Sequence, residues 1–289
     1  MCGVLMRDSY VGYRILLVHA HPDDETINNG ATMALYAARG AQVTLVTCTR
    51  GEEGEVLVPE LSHLASSRDD GLGAHREIEL TNAMRALGVR DHRFLGSFRD
   101  SGMMGMETNN RPDVFWQADL DTAAQLLVSV IEEIKPHILI TYDEIGGYGH
   151  PDHIKAHLVA MRATELSEWQ IQKIYWNTIP KSVIAAGIAA MKEVGSDFFG
   201  SDNVDEIPFA KDDSFVTTLI DGNEFVDAKM DAMAAHSTQI ALDGPFFALS
   251  NNLGLAIWGD EYYTLVQGEK SAPFDSNGRE SDLTSGITL

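Results

Sequence analysis

Short apolar runs that favour β-strands alternate along the first part of the chain with segments of helical periodicity. Three runs are strong, 14–20 (RILLVHA), 42–48 (QVTLVTC) and 137–142 (HILITY), and a further strand is predicted over 171–176. Helical periodicity is present over 30–39, 77–87 and 119–134. Because the strands are apolar almost throughout, we expect both of their faces to be covered. The alternation predicts an α/β fold, a Rossmann-like and mostly parallel sheet with helices on both faces.

Two polar loops follow the first and third of these strands. Residues 19–25 read HAHPDDE, and residues 146–153 read GGYGHPDH. Ligands of parallel sheets bind beyond the carboxyl ends of the strands, so we expect both loops to line one crevice. Imidazole and carboxylate groups are ordinary zinc ligands, and a catalytic zinc keeps three protein ligands and one open position. The loops therefore predict a metal site that uses histidine and aspartate.

The residues of the first loop leave the ligand set open. Asp23 and Asp24 are adjacent and cannot point the same way, which favours one as a ligand and the other as a free base. A bound divalent ion would keep both ionised and lower the pKa of water from 15.7 to about 7. His19 shares a strand face with His21 and is an alternative ligand. The expected metal is Zn2+, one per chain, although two histidines and a carboxylate also suit Fe2+.

Other motifs carry weaker predictions. His153 and His157 are four residues apart, but no glutamate follows His153 as the H-E-x-x-H metalloprotease motif requires. No G-x-G-x-x-G follows a strand, which makes a nicotinamide-dependent oxidoreductase remote. The acidic glycine loop 51–55 is expected to be solvated rather than to rim the crevice. Cys48 is expected to be a small buried residue, and His236 a capping or core histidine.

Charge and cysteine content restrict the partners. The chain has 21 basic and 43 acidic residues, a formal net charge of −22, which repels phosphate backbones and anionic headgroups. No apolar run approaches the roughly 20 residues of a transmembrane helix, and the N-terminus lacks the pattern of a signal peptide. The two cysteines form no C-x-x-C pair, which excludes a thiolate zinc cage. We expect a cytoplasmic protein that has neither nucleic-acid nor membrane partners and acts on no polyanionic substrate; the sequence does not determine its oligomeric state.

The 289 residues are predicted to form a single elaborated domain. Its Rossmann-like core, with the metal site, is expected over 12–176. A C-terminal elaboration over 177–268 is expected to lie over the active-site end; it includes a loop-like acidic region at 196–213 and a helix from about 224 to 235. The tail over 269–289 lacks periodicity and is expected to be either a loop-like cover or frayed.

The two loops resemble those of the LmbE-like (PIG-L) family of zinc deacetylases. The resemblance lies in A-H-P-D-D-E and T-Y-D-E-I-G-G-Y-G-H-P-D-H, and extends over most of 14–263 through V-T-C-T-R-G-E-E-G-E-V, R-D-S-G-M-M-G and A-L-S-N-N-L. It is strongest with the branch that acts in mycothiol biosynthesis. The resemblance implies zinc-dependent hydrolysis of N-acetylglucosaminyl-inositol, a neutral amino-sugar glycoside, to glucosaminyl-inositol and acetate. The alternatives are a mycothiol S-conjugate amidase and, in a different class, a non-catalytic metal- or sugar-binding module.

The family motifs also imply roles for residues of the two loops. His21, Asp24 and His153 would bind the zinc ion, and Asp23 would act as the general base. At 143–146 the chain reads D-E-I-G where the family pattern reads D-P-N-G. The shape of this loop is therefore expected to differ from that of the family.

Further roles are implied around this metal site. His150 would stabilise the tetrahedral oxyanion, and Tyr148 would assist His150 in this role. Asp152 would support the site without binding the metal itself. Arg76 and Asp100 would contact substrate hydroxyls. By their local sequence alone, both of these charges would be assigned to the surface.

Overall fold

A computed structural model describes residues 9–193, 201, 203–207, 209–241 and 259–289. The predicted acidic region 196–213 falls partly outside the described residues. The A-L-S-N-N-L segment at 248–253 and Cys2 lie wholly outside them. No helix within the described ranges is long and apolar enough to cross a membrane.

A seven-stranded sheet forms the centre of the described structure, in the order β3-β2-β1-β4-β5-β9-β8. The first five strands of this order are parallel, and β9 runs antiparallel to both β5 and β8. Two further strands, β6 and β7, pair with each other. The strands are β1 Arg14–His19, β2 Gln42–Thr47, β3 Asp91–Phe94, β4 Ile138–Thr141, β5 Lys173–Asn177, β6 Ile179–Pro180, β7 Ala210–Lys211, β8 Thr218–Asp221 and β9 Asp260–Gln267.

Helices connect and cover these strands. The α-helices are α1 Asp24–Ala38, α2 Leu72–Ala86, α3 Leu120–Ile134, the short turn α4 Gly146–Gly149, α5 Pro151–Leu166, α6 Lys181–Glu193 and α7 Val226–Ala235. Short 3-10 helices lie at Pro59–Leu64, Glu107–Asn110, Phe115–Gln117, Val204–Glu206, Asp213–Phe215 and Asn223–Phe225.

Alternating residues of the central strands pack against helices on opposite faces of the sheet. Ile15 and Leu17 of β1 belong to a core with residues of α1, α2 and α7. Leu16 and Val18 belong to a second core with residues of α3 and α5. A strand buried on both faces has no polar face, which explains its continuous apolar run. The predicted α/β fold with helices on both faces is confirmed.

The strand order brings the two predicted loops together. β1 lies between β2 and β4, so the chain leaves β1 on one side and returns to its other side much later. The ends of β1 and β4 therefore flank a topological switch point, where sheets of this kind form a ligand crevice. The loop after β1 and the loop after β4 both open into it.

Helix α1 begins six residues earlier than its sequence pattern predicts. The expected start was Gly30, but the helix begins at Asp24. Its first turns bury polar side chains, including Glu25 and Asn29. Because these residues find polar partners from distant parts of the chain, the first turns show no apolar periodicity.

The C-terminal part of the chain contributes to the main sheet as well as to the crevice. Strands β8 and β9, from the predicted elaboration, extend the sheet beyond β5. The tail is a packed cover and is not frayed: Glu280 and Leu283 are fully buried. The Glu280 carboxylate lies 2.5 Å from the Lys173 ammonium, which anchors the tail to β5.

Candidate metal centre and active site

Three side chains from the two loops converge at the crevice. Oδ2 of Asp24 lies 3.4 Å from Nδ1 of His21 and 3.4 Å from Nε2 of His153. Ligands about 2.0–2.1 Å from a tetrahedral zinc ion are themselves about 3.4 Å apart, so this spacing fits such an ion. All three residues are buried. The arrangement has the donor types and spacing of a metal site.

The ring of His153 is oriented as a metal ligand would be. Its Nδ1 lies 3.2 Å from the carbonyl oxygen of Gly146, which can only accept, so Nδ1 carries the proton. Its buried Nε2 has no hydrogen-bond partner among the described residues. A ligand histidine commonly donates its second N–H to a carbonyl in this way. Gly146 has φ 63°, and a Cβ there would lie 2.7 Å from the Ile154 nitrogen, so glycine is required.

His21 is held from its other side by acidic groups. Its Nε2 lies 3.3 Å from Oδ2 of Asp152, which also accepts from the Ser101 amide at 2.9 Å. Burial alone would lower the pKa of His21, but Asp100, Asp152 and Asp24 outweigh it and raise the pKa well above 6.5. The excess of carboxylates over cations suits a bound divalent cation.

Tyr142, at the end of the predicted HILITY strand, was not identified from the sequence. Its hydroxyl donates to Oδ2 of Asp24 at 2.7 Å and accepts from the Ala20 amide at 2.8 Å. Its ring stacks on that of His153, with centroids 4.3 Å apart. Tyr142 thus orients two of the three convergent side chains. The only indication in the sequence was its position at the end of the predicted strand 137–142, which corresponds to β4, directly before the second loop.

Asp23 has a strained backbone and a buried cationic partner. Its φ is 104°, a conformation that costs a residue other than glycine on the order of 1–3 kcal/mol. Nη2 of Arg76 lies 3.1 Å from Oδ2 of Asp23 and also donates to the Pro22 carbonyl. Burial raises the pKa of Asp23 to about 6 against the opposing charge of Arg76. Asp23 lines the crevice and can act as a base there.

His150 lies beside the cluster and also caps a helix. Its Nδ1 accepts from the Asp152 amide at 3.1 Å as the N-cap of α5. Its ring centroid is 4.6 Å from that of His21 and 4.9 Å from that of His153. Burial, and then the neighbouring histidines, lower the pKa of His150 to about 3. The ring is therefore neutral at pH 7, with its proton on Nε2. Tyr148 is half exposed, its ring centroid 5.0 Å from that of His153.

Arg76 and Asp100 are buried, so the surface assignment from local sequence is wrong for both. Oδ1 of Asp100 lies 3.5 Å from Nε2 of His21 and accepts from the Gly102 amide at 2.8 Å. Its Oδ2 accepts from the amide of Glu53 at 3.1 Å. The acidic glycine loop 51–55 therefore contacts Asp100 beside the cluster; within it Gly51 is buried and Glu55 is exposed.

Two overlapping triads contain nearby ligand atoms within the described residues: His21 with His150 and His153, and His21 with Asp100 and Asp152. A His/Asp site that can bind a metal is thus present. Neither His19, the alternative ligand, nor Asp24 belongs to these two triads, although Oδ2 of Asp24 lies 3.4 Å from a ring nitrogen of both His21 and His153. Nε2 of His19 lies 2.8 Å from Oδ1 of Asn29. Cys48 is buried, as expected.

A cavity of about 360 Å³ opens beside the cluster. Its floor includes Asp23, Asp24 and His153. The C-terminal part of the chain supplies an apolar wall and one cation, Lys211, whose ammonium lies 2.6 Å from Asp143. The lining residues from that part are Asn177, Ile179, Ile184, Phe209 and Lys211.

Comparison with known proteins assigns the chain to a family. The family model described as PIG-L, GlcNAc-PI de-N-acetylase, matches residues 16–164. The chain is 55% identical to 1D-myo-inositol 2-acetamido-2-deoxy-alpha-D-glucopyranoside deacetylase 1 of Catenulispora acidiphila, over 96% of this chain and 90% of that protein. A second deacetylase of this type, from Streptomyces avermitilis, is 55% identical over 95% of this chain and 97% of its own length. N,N'-diacetylchitobiose deacetylase from Pyrococcus horikoshii has a similar fold, with a TM-score of 0.56, 18% identity, and coverage of 88% of this chain and 84% of that one.

The fold and these relatives define the class of the protein: it is an amide-hydrolysing deacetylase built on a mostly parallel α/β sheet. The chain belongs to the PIG-L family. The family model covers more than half of the chain, and relatives at 55% identity cover almost all of it. The resemblance found in the sequence is confirmed.

Proposed function

We propose that the protein hydrolyses the N-acetyl group of N-acetylglucosaminyl-inositol and releases glucosaminyl-inositol and acetate, as a step of mycothiol biosynthesis. One observation carries the proposal. His21, Asp24 and His153, in which Oδ2 of Asp24 lies 3.4 Å from a nitrogen of each histidine, lie beside the partly buried carboxylate of Asp23, in a chain 55% identical to two deacetylases named for this substrate. The substrate is neutral, which is compatible with the net charge of −22.

In this proposal His21, Asp24 and His153 hold one zinc ion. Two observations support this ligand set. Nε2 of His153 has no hydrogen-bond partner among the described residues, and Oδ2 of Asp24 lies 3.4 Å from a nitrogen of each histidine. When bound, zinc supplies a Lewis acid that polarises the acetyl carbonyl and makes water more acidic. Asp152 fixes the ring of His21 through the contact between its Oδ2 and Nε2.

Asp23 is the proposed general base. Its carboxylate lines the cavity and takes the proton of the attacking water. Arg76 contacts one oxygen of this carboxylate and leaves the other free to face the cavity. The raised pKa brings the group closer to neutral pH, where a base works best.

His150 is the proposed donor to the oxyanion. The Asp152 amide occupies its Nδ1, so the Nε2–H is free to point at developing charge. Tyr148, which lines the cavity and whose ring centroid lies 6.2 Å from that of His150, would add its hydroxyl. The low pKa of His150 disfavours a cationic ring, so Asp23 returning its proton is the better acid for the leaving amine.

Arg76 and Asp100 are proposed contacts for hydroxyl groups of the substrate. Both lie within a few ångströms of the reacting groups, Arg76 next to Asp23 and Asp100 next to His21. Because both are buried, a substrate would reach them only at the floor of the crevice. We further propose that the protein acts in the cytoplasm on this small sugar, without a nucleic-acid or membrane partner.

The proposal is tested by measuring free-amine release from N-acetylglucosaminyl-inositol and from the bimane S-conjugate of mycothiol. We expect faster turnover of the first substrate, loss of turnover after chelation, and recovery with added Zn2+. A large preference for the conjugate would identify an amidase instead. Turnover that is indifferent to the chelator would exclude the metal mechanism, and no turnover of either substrate by the metal-loaded protein would favour a binding module.

A further inference from the structure

A buried histidine after helix α7 contacts the loop that carries the proposed base. His236 is fully buried, and its Nε2 lies 2.9 Å from Oε1 of Glu25. The two residues are 211 positions apart in the chain. Because a carboxylate accepts and does not donate, Nε2 of His236 carries the proton of this hydrogen bond.

Glu25 transmits this contact to the backbone of Asp23. It is fully buried, and its second oxygen, Oε2, accepts from the Asp23 amide at 2.9 Å. Its Oε1 also accepts from the Thr26 hydroxyl at 2.6 Å. The amide that it binds belongs to the residue with φ 104°. A conformation of this kind persists only where the surrounding contacts hold it.

We propose that His236 is a positioning residue for the base: it fixes Glu25, and Glu25 fixes the backbone of Asp23 so that its carboxylate faces the cavity. The inference rests on the proposed role of Asp23. It gives a functional role to His236, which the sequence predicts only to be a capping or core histidine.

The neighbouring metal ligand is held by other groups. Oδ2 of Asp24 accepts from the His21 amide at 2.9 Å and from the Tyr142 hydroxyl at 2.7 Å. Neither bond involves Glu25 or His236. Loss of the His236 contact is therefore expected to misplace Asp23 without releasing the metal.

The residues after His236 supply a matched control. The Thr238 hydroxyl lies 2.7 Å from Oε2 of Glu79 on α2, and the Thr238 amide donates to Oε1 of Glu79 at 2.8 Å. Thr238→Val removes the first of these bonds and keeps the second. It perturbs the same segment, including the bond from the Gln239 side-chain amide to the Thr238 hydroxyl, and leaves the contacts of Glu25 in place.

The experiment compares kcat, KM and zinc content of His236→Leu, His236→Gln and Thr238→Val. A misplaced catalytic group can cost about 100-fold in rate, so we expect His236→Leu to lower kcat by roughly 10- to 100-fold with KM and zinc content little changed. His236→Gln, which restores an N–H donor, should recover most of kcat, and Thr238→Val should keep it. Normal kcat in His236→Leu would overturn the inference, because a merely structural histidine lowers stability alone.

A second readout needs no activity. In metal-free protein, the amide resonance of Asp23 in a 15N–1H spectrum should shift in His236→Leu and stay in place in Thr238→Val. An unmoved resonance overturns the positioning role even if the enzyme proves to have another substrate, whereas inactive wild-type protein with a shifted resonance rejects only the proposed function. Should His236→Leu not fold, Glu25→Met, which removes both the acceptor of the Asp23 amide and the partner of His236, takes its place in both measurements. Normal kcat in that variant would also overturn the inference.

Discussion

The Tyr142 hydroxyl donates a hydrogen bond of 2.7 Å to Oδ2 of Asp24, the same oxygen that lies 3.4 Å from a ring nitrogen of His21 and of His153, the other two proposed metal ligands. Burial and the nearby Asp24 charge raise the pKa of Tyr142 well above 10, so the phenol stays protonated and donates throughout the neutral range. The tyrosine thereby fixes the direction in which Asp24 presents its lone pairs.

Tyr142→Phe should weaken zinc binding without abolishing it. Removing a hydrogen bond that orients a ligand typically costs 10- to 100-fold in metal affinity, and we expect a loss of about that size. Competition with a chromophoric chelator measures it. Tyr148→Phe is the control and should bind zinc normally, because Tyr148 also lines the cavity but makes no hydrogen bond to Asp24 within the described residues. Unchanged affinity in Tyr142→Phe would argue against Asp24 as a ligand.

The two adjacent aspartates should separate metal binding from turnover. Asp24→Ala removes one of three proposed ligands and should lose zinc together with activity. Asp23→Asn keeps all three and should retain zinc while losing about 10²- to 10⁴-fold in kcat, the usual contribution of a general base. Metal analysis and steady-state kinetics on both variants check this. Full zinc content in Asp24→Ala would mean that the two roles are reversed.

His150 combines a capping bond with a place beside the reacting groups, and two substitutions separate them. His150→Ala removes both functions, so kcat should fall about 10²- to 10³-fold and stability by about 1 kcal/mol. His150→Asn retains a good N-cap residue and should lose the same factor in kcat with stability near that of the wild type. Steady-state kinetics and urea unfolding, measured on the same preparations, distinguish the catalytic role of His150 from its capping role. Near-normal turnover in both variants would limit His150 to capping.

The sequence was sufficient to predict the parallel strands β1, β2, β4 and β5 and the meeting of the two loops, because apolar runs and strand-end motifs are local patterns. Strands β8 and β9, which extend the sheet beyond β5, were not predicted. The contacts between distant residues were not predictable. Arg76 and Asp100 looked like surface charges, since the groups that pair with them lie elsewhere in the chain. Strand β3, Asp91–Phe94, was missed because its four residues are only partly buried and mostly polar.

The pairing of His236 with Glu25 predicts how stability changes with pH. Burial lowers the pKa of His236, but the charge and hydrogen bond of Glu25 outweigh it, so the folded pKa lies above 6.5. A raised pKa means that the proton stabilises the fold fully below pH 6.5 and that this contribution disappears as pH rises through the folded value. The pKa of Glu25 is lowered, so it stays ionised over the same interval.

The measurement compares metal-free wild-type protein with the double variant Glu25→Gln, His236→Gln, which lacks both titrating groups. We expect the difference in unfolding free energy, from urea titrations, to be largest at pH 6 and to shrink steadily toward pH 9. Thr238→Val should differ from the wild type by a constant amount over this range. A difference between wild type and double variant that grows with pH would show that His236 is neutral in the folded protein.

The C-terminal tail should contribute strongly to stability, because it supplies Glu280, the acidic member of a buried ion pair with Lys173 of β5. The Glu280 carboxylate lies 2.5 Å from the Lys173 ammonium and accepts from the Tyr175 and Thr218 hydroxyls at 2.9 and 3.0 Å. Glu280→Ala leaves a buried ammonium without its carboxylate and should cost about 3–5 kcal/mol. Adding Lys173→Met to that variant removes the unpaired charge and should recover part of the loss. Urea unfolding of wild type, both single variants and the double variant gives the coupling energy. A loss below about 1 kcal/mol in Glu280→Ala would place the pair in the range of exposed ion pairs and would mean that the tail does not remain packed on β5 in solution.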